Sequence, residues 1–249
     1  MSIKVISQNV MCWERKDNSY RKRRKMLRRV FDLHGADLIG LQEVTPKWKK
    51  YFEEDLEDFE NIFKYRAKES FEAVPIYWKK EKFNKIDGGW FWLSETPEVS
   101  SRSWGTVCIR ITTWVCLEEK ATGKRFAFVN THLDHVSEEA RVEGIKLIVR
   151  FIEEKFGKDM PLILTGDFNA TPDSETIRIA NELLRNTRDI AKVTTDEITW
   201  HAYGESDPQI IDYVFVSNGV KCTKFEVIKE TDGDTVQSDH YAVGATLEI

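Results

Sequence analysis

Residues 161–173 constrain the fold of this chain more than any other stretch. They join a short apolar run, bounded by proline and glycine, to the polar pair Asp167 and Asn169. Such a run is typical of a buried strand, and the residues beyond its end lie in a loop at the rim of the sheet. Asp167 and Asn169 flank Phe168, so both side chains project to one side if the chain stays extended. The same residues are also ordinary turn chemistry, and this segment alone favours a turn.

Alternating strand and helix periodicity predicts an α/β chain. Apolar residues at period two or in short runs indicate strands, and apolar stripes at helical spacing indicate helices, one of them capped by Ser137 and ended by Gly157. Residues 72–83 suggest a hairpin and residues 88–103 an irregular loop. Helices are predicted at residues 20–34, 46–59, 138–156 and 174–184. Strands are predicted at residues 3–8, 37–42, 107–117, 126–129, 162–164, 210–216 and 241–247.

The first predicted helix carries a run of basic residues. Its apolar residues Met26, Leu27, Val30 and Phe31 recur at helical spacing, and arginines and lysines between positions 21 and 29 cover the remaining surface. A nucleic-acid patch is one interpretation of this run. A solvated helix face is favoured, because charge runs on amphipathic helices usually interact only with water.

Length and composition indicate the class of protein. The 249 residues contain no Pro- or Ser-rich linker, so a single domain spanning residues 1–249 is predicted. The net charge of −5 disfavours binding to nucleic acid or anionic membranes through bulk charge. The four cysteines lack metal-ligand or redox spacing, which indicates a reducing compartment. With no signal peptide and no transmembrane segment in the sequence, we expect a cytoplasmic monomer.

Polar residues of catalytic type lie at the ends of five separate apolar runs. Each alone has a simple explanation, such as a turn for Asn9 or a hydrogen-bonded core histidine for His132. Unrelated turns would not repeatedly use carboxylate, amide and imidazole, so we interpret the residues as one site. The set comprises Asn9, Glu43, His132, Asp167, Asn169, Asp239 and His240, with Asp212 and Glu72 inside or beside strands.

These residue types indicate a reaction class. Carboxylates and amides without thiolates suit a hard divalent cation, Mg²⁺ or Mn²⁺, which needs only one or two protein carboxylates. Histidines beside buried acids suit a phosphoryl centre, where negative charge develops on the non-bridging oxygens. The implied reaction is metal-assisted hydrolysis of a phosphate ester.

Five ordered motifs resemble those of the endonuclease/exonuclease/phosphatase superfamily, which includes deoxyribonuclease I. The resemblance runs from Asn9 to the C-terminus. It implies an α/β (α+β) fold, a four-layer α/β/β/α sandwich of two mixed β-sheets flanked by helices, with the site at one end of the sheets. The motifs are Leu-Gln-Glu at 41–43, Thr-His-Leu at 131–133, Gly-Asp-Phe-Asn at 166–169, Ile-Asp-Tyr at 211–213 and Ser-Asp-His at 238–240.

The resemblance implies a role for each metal-side and water-side residue. Glu43 matches the principal metal ligand, Asp239 an acid at or near the metal, and Asn9 the amide that helps to arrange metal and phosphate. Asp167 resembles the residue that orients or deprotonates the attacking water. Asn169 resembles the residue that positions the phosphate.

The histidines and the arginine are matched in the same way. His240 resembles the catalytic histidine, and its partner Asp212 would fix the tautomer and favour the protonated form. His132 matches the second histidine, a donor to a phosphate oxygen, with Glu72 as its acidic partner. Arg110 is similar to the family's strand arginine near the phosphate.

Two positions concern the limits of the site. Abasic-site nucleases of the superfamily carry an acid two residues after the asparagine, where this chain has Met11. A repair activity on abasic DNA is therefore disfavoured. Asp134 and His135 extend the Thr-His-Leu motif, and a local turn is favoured for them over additional site groups.

The resemblance fixes the chemistry better than the substrate, because members cleave DNA, RNA tails, sphingomyelin and inositol phosphates. The favoured function is a Mg²⁺-dependent phosphodiesterase with a nuclease-like site, acting on nucleic acid or a small phosphodiester. The alternatives are a phosphatase, a sphingomyelin-type lipid phosphodiesterase, and a catalytically silent binding module. Trp90, Trp92, Trp104 and Trp200, predicted in loops, would either stack a base, line a pocket or anchor their loops.

Overall fold

The computed structural model describes residues 1–68, 71–195 and 197–249. Its strands are β1 (Ser2–Asn9), β2 (Leu38–Gln42), β3 (Phe59–Ile62), β4 (Ile76–Lys79), β5 (Phe83–Trp92), β6 (Ile111–Glu119), β7 (Arg125–His132), β8 (Leu162–Asp167), β9 (Arg185–Asn186), β10 (Asp212–Val216), β11 (Lys221–Ile228) and β12 (Ala242–Glu248). Its helices are α1 (Tyr20–Leu33), α2 (Pro46–Asp55), α3 (Glu138–Phe156), α4 (Glu175–Leu183) and α5 (Thr187–Ile190), with a 3₁₀ turn at Ala202–Gly204. None of the described helices is long and apolar enough to cross a membrane.

The strands form two six-stranded sheets. The first has the order β11-β12-β1-β2-β4-β3 and the second the order β5-β6-β7-β8-β10-β9. Each sheet contains one parallel pair, β1 with β2 and β7 with β8, among antiparallel neighbours. The sheets are therefore mixed, as the resemblance implies.

Three apolar layers hold the sheets and helices together. Residues such as Val5 of the first sheet and Phe128 of the second pack between the two sheets. Leu27 of α1 and Trp48 of α2 pack on the outer face of the first sheet. Ile148 of α3 and others on α4 cover the outer face of the second. The predicted four-layer sandwich is confirmed.

The two sheets approach closely beneath the ends of the parallel strands. A Cβ atom on Gly40 of β2 would lie 2.4 Å from Thr165 Oγ1, so only glycine fits there. Asn130 of β7 crosses the interface: its Oδ1 accepts from Gln42 Nε2 at 2.8 Å and its Nδ2 donates to the Leu41 carbonyl at 2.8 Å. A polar layer thus fixes the first sheet against the second just below their shared edge.

Several element predictions were wrong. The second helix ends at Asp55, and Phe59 begins β3 instead of closing the helix. The predicted hairpin at 72–83 does not form, because β4 pairs with β2 and β3 while β5 pairs with β6 of the other sheet. The predicted loop at Gly88–Gly89 lies within β5, which accommodates these glycines next to a register shift.

The basic run of α1 is only partly a solvated face. Arg23 is fully buried, and its guanidinium donates to the carbonyl oxygens of Val10 at 2.6 Å, Met11 at 3.0 Å and Trp13 at 2.5 Å. The neighbouring arginine Arg24 forms an ion pair with Asp55 of α2 at 2.6 Å. One member of the run therefore lies in the core, where it satisfies backbone carbonyls of the loop after β1.

Candidate active site

The carboxyl ends of the parallel strands in both sheets open into one cleft of about 720 Å³. Asn9 and Asp212 lie buried behind its wall and hydrogen-bond to residues that line it. The structure thus brings the residues proposed from the sequence to one place. The cleft wall includes Glu43, Glu72, Arg110, His132, Asp167, Asn169, Asp239 and His240.

Two site residues have strained backbones. Glu43 follows β2 with φ 61° and Asn169 follows β8 with φ 47°, the left-handed region that non-glycine residues seldom adopt. Asn169 is held there by its own N–H, which donates to Asp167 Oδ1 at 2.9 Å, and by its Nδ2, which donates to the Leu133 carbonyl at 3.1 Å. Such strain is concentrated at functional sites, where surrounding contacts maintain it.

Asp167 lies at the centre of the buried polar groups. Its Oδ2 accepts from Asn9 Nδ2 at 2.9 Å and lies 3.5 Å from His132 Nε2 and 3.7 Å from His240 Nε2. Burial, with a smaller contribution from Asp212, raises the pKa of Asp167 to about 7 against the opposing effects of His240 and of the hydrogen bonds from Asn9 and Asn169. A carboxyl with such a pKa can exchange a proton near neutral pH.

His240 is paired with Asp212, as the resemblance implies. Its Nδ1 lies 2.9 Å from Asp212 Oδ2, and β10 places Asp212 directly beside Asp167 of β8. Burial works against the imidazolium, but Asp212 and Asp167 outweigh it and raise the pKa of His240 to about 10. The histidine is therefore protonated at neutral pH, with its Nε2–H directed to the Asp167 side.

His132 lies in the opposite electrostatic environment. Burial, reinforced by the positive charges of Arg110 and Arg66, lowers its pKa well below the ordinary value. The imidazole ring of His132 is therefore neutral, and its Nε2 faces Asp167 Oδ2 at 3.5 Å. The predicted His132–Glu72 pair is not among the polar contacts of the described residues, because Glu72 Oε1 instead accepts from Arg66 Nη2 at 2.6 Å.

Arg110 comes just before β6 rather than within the predicted strand, and it is buried in the cleft wall. Its Nη2 lies 3.0 Å from His135 Nδ1, and its Nε lies 3.7 Å from Asp134 Oδ2. Asp134 also accepts from the N–H groups of Val136 and Ser137, so the predicted turn is present. His135 nevertheless lines the cleft.

A second group of ligand-type atoms surrounds Glu43. Asn9 Nδ2 donates to Glu43 Oε1 at 3.1 Å, and the Cys12 N–H donates to Oε2 at 2.7 Å. Ligand atoms of Cys12, Glu43 and Glu72 lie within 4.8 Å of one another. Burial and the carboxylates of Glu43 and Glu72 raise the pKa of the Cys12 thiol, so the thiol stays protonated at neutral pH. Burial also raises the pKa of Glu72.

Asp239 is half-exposed on the same cleft. Its Oδ1 accepts from Ser238 Oγ at 2.8 Å and its Oδ2 from Trp200 Nε1 at 3.3 Å. Trp200 also lines the cleft, and its indole N–H orients the Asp239 carboxylate. Of the other tryptophans predicted in loops, Trp90 and Trp92 lie in β5, and Trp104 lies in the loop before β6.

Several cleft residues were not found from the sequence, among them Cys12, Trp13, Arg66 and Gln209. Each lies in an irregular segment, where no periodicity marks its direction. The signal that was present is proximity, since Cys12 and Trp13 follow Asn9 closely and Arg66 precedes Glu72. If every residue of the loops next to the strands had been considered, and not the strand ends alone, these residues would have been included.

Comparisons with known proteins agree with this arrangement. The model of the Endonuclease/Exonuclease/phosphatase family matches residues 10–240. An endonuclease/exonuclease/phosphatase from Bacteroides vulgatus is 31% identical with a TM-score of 0.93, over 100% of this chain and 99% of that one. A mannosyl-6-phosphatase from Bacteroides thetaiotaomicron is 28% identical with a TM-score of 0.91, over 99% and 100%.

A more distant structure shares the fold alone. D. rerio TDP2, solved with a single-strand DNA product, is 15% identical with a TM-score of 0.80, over 100% of this chain and 99% of that one. A search of curated protein sequences finds no match to this chain.

Proposed function

Because the chain belongs to the endonuclease/exonuclease/phosphatase family of phosphoester hydrolases, we propose that it hydrolyses phosphate esters of small molecules with Mg²⁺ as cofactor. The observation that carries the proposal is the single cleft on which acids, amides and imidazoles from both sheets converge. Its volume of about 720 Å³ is in the range of small-molecule sites.

Phosphomonoesters are the favoured substrates. The mannosyl-6-phosphatase is similar to this chain over nearly its whole length, whereas the DNA-bound neighbour is similar in fold alone. The net charge of −5 also gives no general attraction to a nucleic acid. The phosphodiesterase favoured from the sequence is therefore the second candidate.

The donor set fits a hard divalent cation. Glu43 and Asp239 are half-exposed carboxylates on the cleft, and oxygen ligands with room for water suit Mg²⁺, with Mn²⁺ as the alternative. Asn9 uses its Nδ2 on Glu43 and Asp167 and its Oδ1 on the Met11 N–H, so it orients ligands. A bound cation would polarise a phosphoryl oxygen and neutralise developing charge.

The proton chemistry belongs to the buried residues. Asp167, with its pKa raised to about 7, accepts the proton of the attacking water. Asn169 fixes the Asp167 carboxylate through its backbone N–H and presents its side chain at the cleft beside it. The base is thus held in one orientation before substrate binds.

The phosphate is bound by donors of fixed charge. His240 is an imidazolium held by Asp212, and Arg110 is a buried guanidinium on the cleft wall. His132 supplies a neutral imidazole on the other side of Asp167. Pre-oriented donors of this kind stabilise the charge that develops on the non-bridging oxygens in the transition state.

A panel of phosphate esters tests the proposal. We expect purified protein to hydrolyse p-nitrophenyl phosphate with Mg²⁺, to lose activity with EDTA, and to act more slowly on bis(p-nitrophenyl) phosphate. Asp167→Ala and His240→Ala should be inactive on both. Faster diester cleavage would favour the phosphodiesterase. No turnover of monoesters, diesters or nucleic acids would favour a binding module, and activity that survives both substitutions would contradict the assigned residues.

A further inference from the structure

Trp13 is an exposed indole on the wall of the catalytic cleft. Its side chain is 74% exposed, the highest value among the large apolar side chains of the described residues. It lines the same cleft as Glu43, Asp239 and His240. Exposing a tryptophan of this size forgoes the burial that normally stabilises it, so its position calls for a reason.

The backbone that carries Trp13 is held at every residue. The fully buried Arg23 donates to the carbonyl oxygens of Val10, Met11 and Trp13. Trp48 Nε1 adds a hydrogen bond to the Met11 carbonyl at 3.1 Å. In the same segment the Cys12 N–H is bound to Glu43.

This anchoring has a cost that the loop itself does not explain. Burying a guanidinium removes a charge from water, and burial lowers the pKa of Arg23 accordingly. Met11 also adopts φ 57°, which is unfavourable for a residue with a side chain. A rigid segment that leaves one aromatic ring in solvent beside a polar cleft is preorganised to bind a flat group there.

We propose that Trp13 is a substrate-recognition residue that stacks against a ring in the alcohol part of the phosphate ester. The inference rests on the proposed function and narrows its substrate class to esters whose leaving group carries a ring, such as a sugar or a nucleoside. Trp13 lines the same cleft as His240, His132 and Arg110, the donors that we propose to hold the phosphate. Aromatic stacking of this kind is sequence- and substituent-tolerant but requires a ring face.

Steady-state kinetics of the full chain test the proposal. Wild type, Trp13→Ala and Trp13→Phe are assayed on a hexose 6-phosphate, a nucleoside 5′-monophosphate and the acyclic glycerol phosphate. We expect Trp13→Ala to raise KM for the preferred ring-bearing ester about ten-fold more than it raises KM for glycerol phosphate. The effect should be on KM more than on kcat, because the stacking contributes to substrate binding. Trp13→Phe should retain most of the preference, and the ring-bearing ester that is more affected identifies sugar or nucleoside as the source.

The control is Trp90→Ala, since Trp90 is 41% exposed on β5 and is not among the described residues of the cleft wall. Equal changes on all three esters, or no change, would overturn the inference while leaving the hydrolase intact. If wild type hydrolyses none of the esters, the proposed function fails. In that case, calorimetry on wild type and Trp13→Ala measures the binding of the same esters and tests the role of Trp13. Weaker binding of the ring-bearing esters alone in Trp13→Ala would support the inference, and equal binding of all esters by the two proteins would contradict it.

Discussion

The cleft contains two groups of ionisable residues that differ in burial. Asp167, Asp212 and His240 are buried and bound to one another or to Asn9. Glu43 and Glu72 are half-exposed, and each retains an open side toward the cleft. In the buried group, direct contacts between the side chains hold the ionisable atoms in place. The half-exposed group can accept a ligand from solvent.

This difference separates two tasks of phosphoester hydrolysis. Burial raises the pKa of Asp167 to about 7, which suits proton transfer near neutral pH, whereas the charges of Asp212 and Asp167 raise the pKa of His240 to about 10 against burial and keep it an imidazolium. A hydrated cation needs the opposite environment, with access for water and open carboxylate oxygens. We therefore expect substitutions in the buried group to lower kcat, and substitutions around Glu43 to change the metal requirement.

The largest effect should follow Asp167→Asn. The substitution keeps the shape of the side chain but removes the proton acceptor, so kcat should fall by roughly 10²–10⁴-fold. The measurement is the rate on p-nitrophenyl phosphate at saturating Mg²⁺. A variant with more than about a tenth of wild-type kcat would remove Asp167 from the role of base.

Thermal unfolding at several pH values tests whether Asp167→Asn loses activity through loss of the base or through loss of stability. The folded pKa of Asp167 is raised from its ordinary value of 3.8 to about 7, so its contribution to stability is present below pH 3.8 and is lost as pH rises through 7. Asp167→Asn should therefore melt higher than wild type at pH 8 and close to wild type at pH 4. A lower melting temperature at pH 8 would contradict the buried-charge assignment.

The next effect concerns the half-exposed group. Glu43→Gln should raise the Mg²⁺ concentration for half-maximal rate by about 100-fold, because even groups that only orient ligands change metal affinity 10–100-fold. The matched variant is Glu72→Gln, which loses a contact with Arg66 and should shift the Mg²⁺ midpoint less. Equal shifts would mean that the two glutamates share the cation.

The pH dependence of activity distinguishes the role of Asp212 from that of Asp167. The pKa of His240 is raised from 6.5 to about 10, so the imidazolium and its contribution to stability are complete below pH 6.5 and are lost as pH rises through 10. Wild-type activity should therefore fall on the alkaline side near pH 10. Asp212→Asn removes the principal stabilising charge, so this limb should move to lower pH. An unmoved limb would assign it to another group.

A smaller effect, on stability rather than chemistry, should follow Asn130→Ala. Asn130 joins β7, which carries His132, to the strand that precedes Glu43. Its removal leaves buried partners unsatisfied and should cost about 2–3 kcal/mol in urea unfolding. If stability were unchanged, the polar layer would not be what holds the two groups in register.

The smallest effect should come from Arg178→Ala. Arg178 forms exposed ion pairs with Glu175 and Glu182 on α4, away from the cleft. Such pairs contribute about 0.5 kcal/mol or less, so stability, kcat and the Mg²⁺ midpoint should all remain close to wild type. A clear change in any of them would show that the assays respond to nonspecific damage.

The local sequence pattern was enough to predict which polar side chains follow the ends of the strands. Asp167 and His132 follow apolar runs directly, so the direction of each side chain follows from the strand before it. The helix from Ser137 to Gly157 was likewise marked by its own caps. These features depend on neighbours within a few residues.

Features that depend on distant partners could not be predicted in this way. The strands flanking residue 80 look like a hairpin locally, yet they belong to different sheets because each finds its partner far along the chain. Glu72 was assigned to His132 by position, but its carboxylate accepts a hydrogen bond from Arg66, six residues before it. Arg23 looked like one surface cation among several, although it lies in the core and donates to carbonyls of the loop after β1.

The division of tasks between the two groups is tested most directly by one Mg²⁺ titration. Metal-free wild type, Glu43→Gln and Asp167→Asn are titrated with Mg²⁺ while p-nitrophenyl phosphate hydrolysis is recorded. We predict a saturable rate for wild type, a shifted midpoint with a largely recovered maximum for Glu43→Gln, and an unshifted midpoint with a low maximum for Asp167→Asn. Full activity without metal, or the same parameter changed in both variants, would contradict the account.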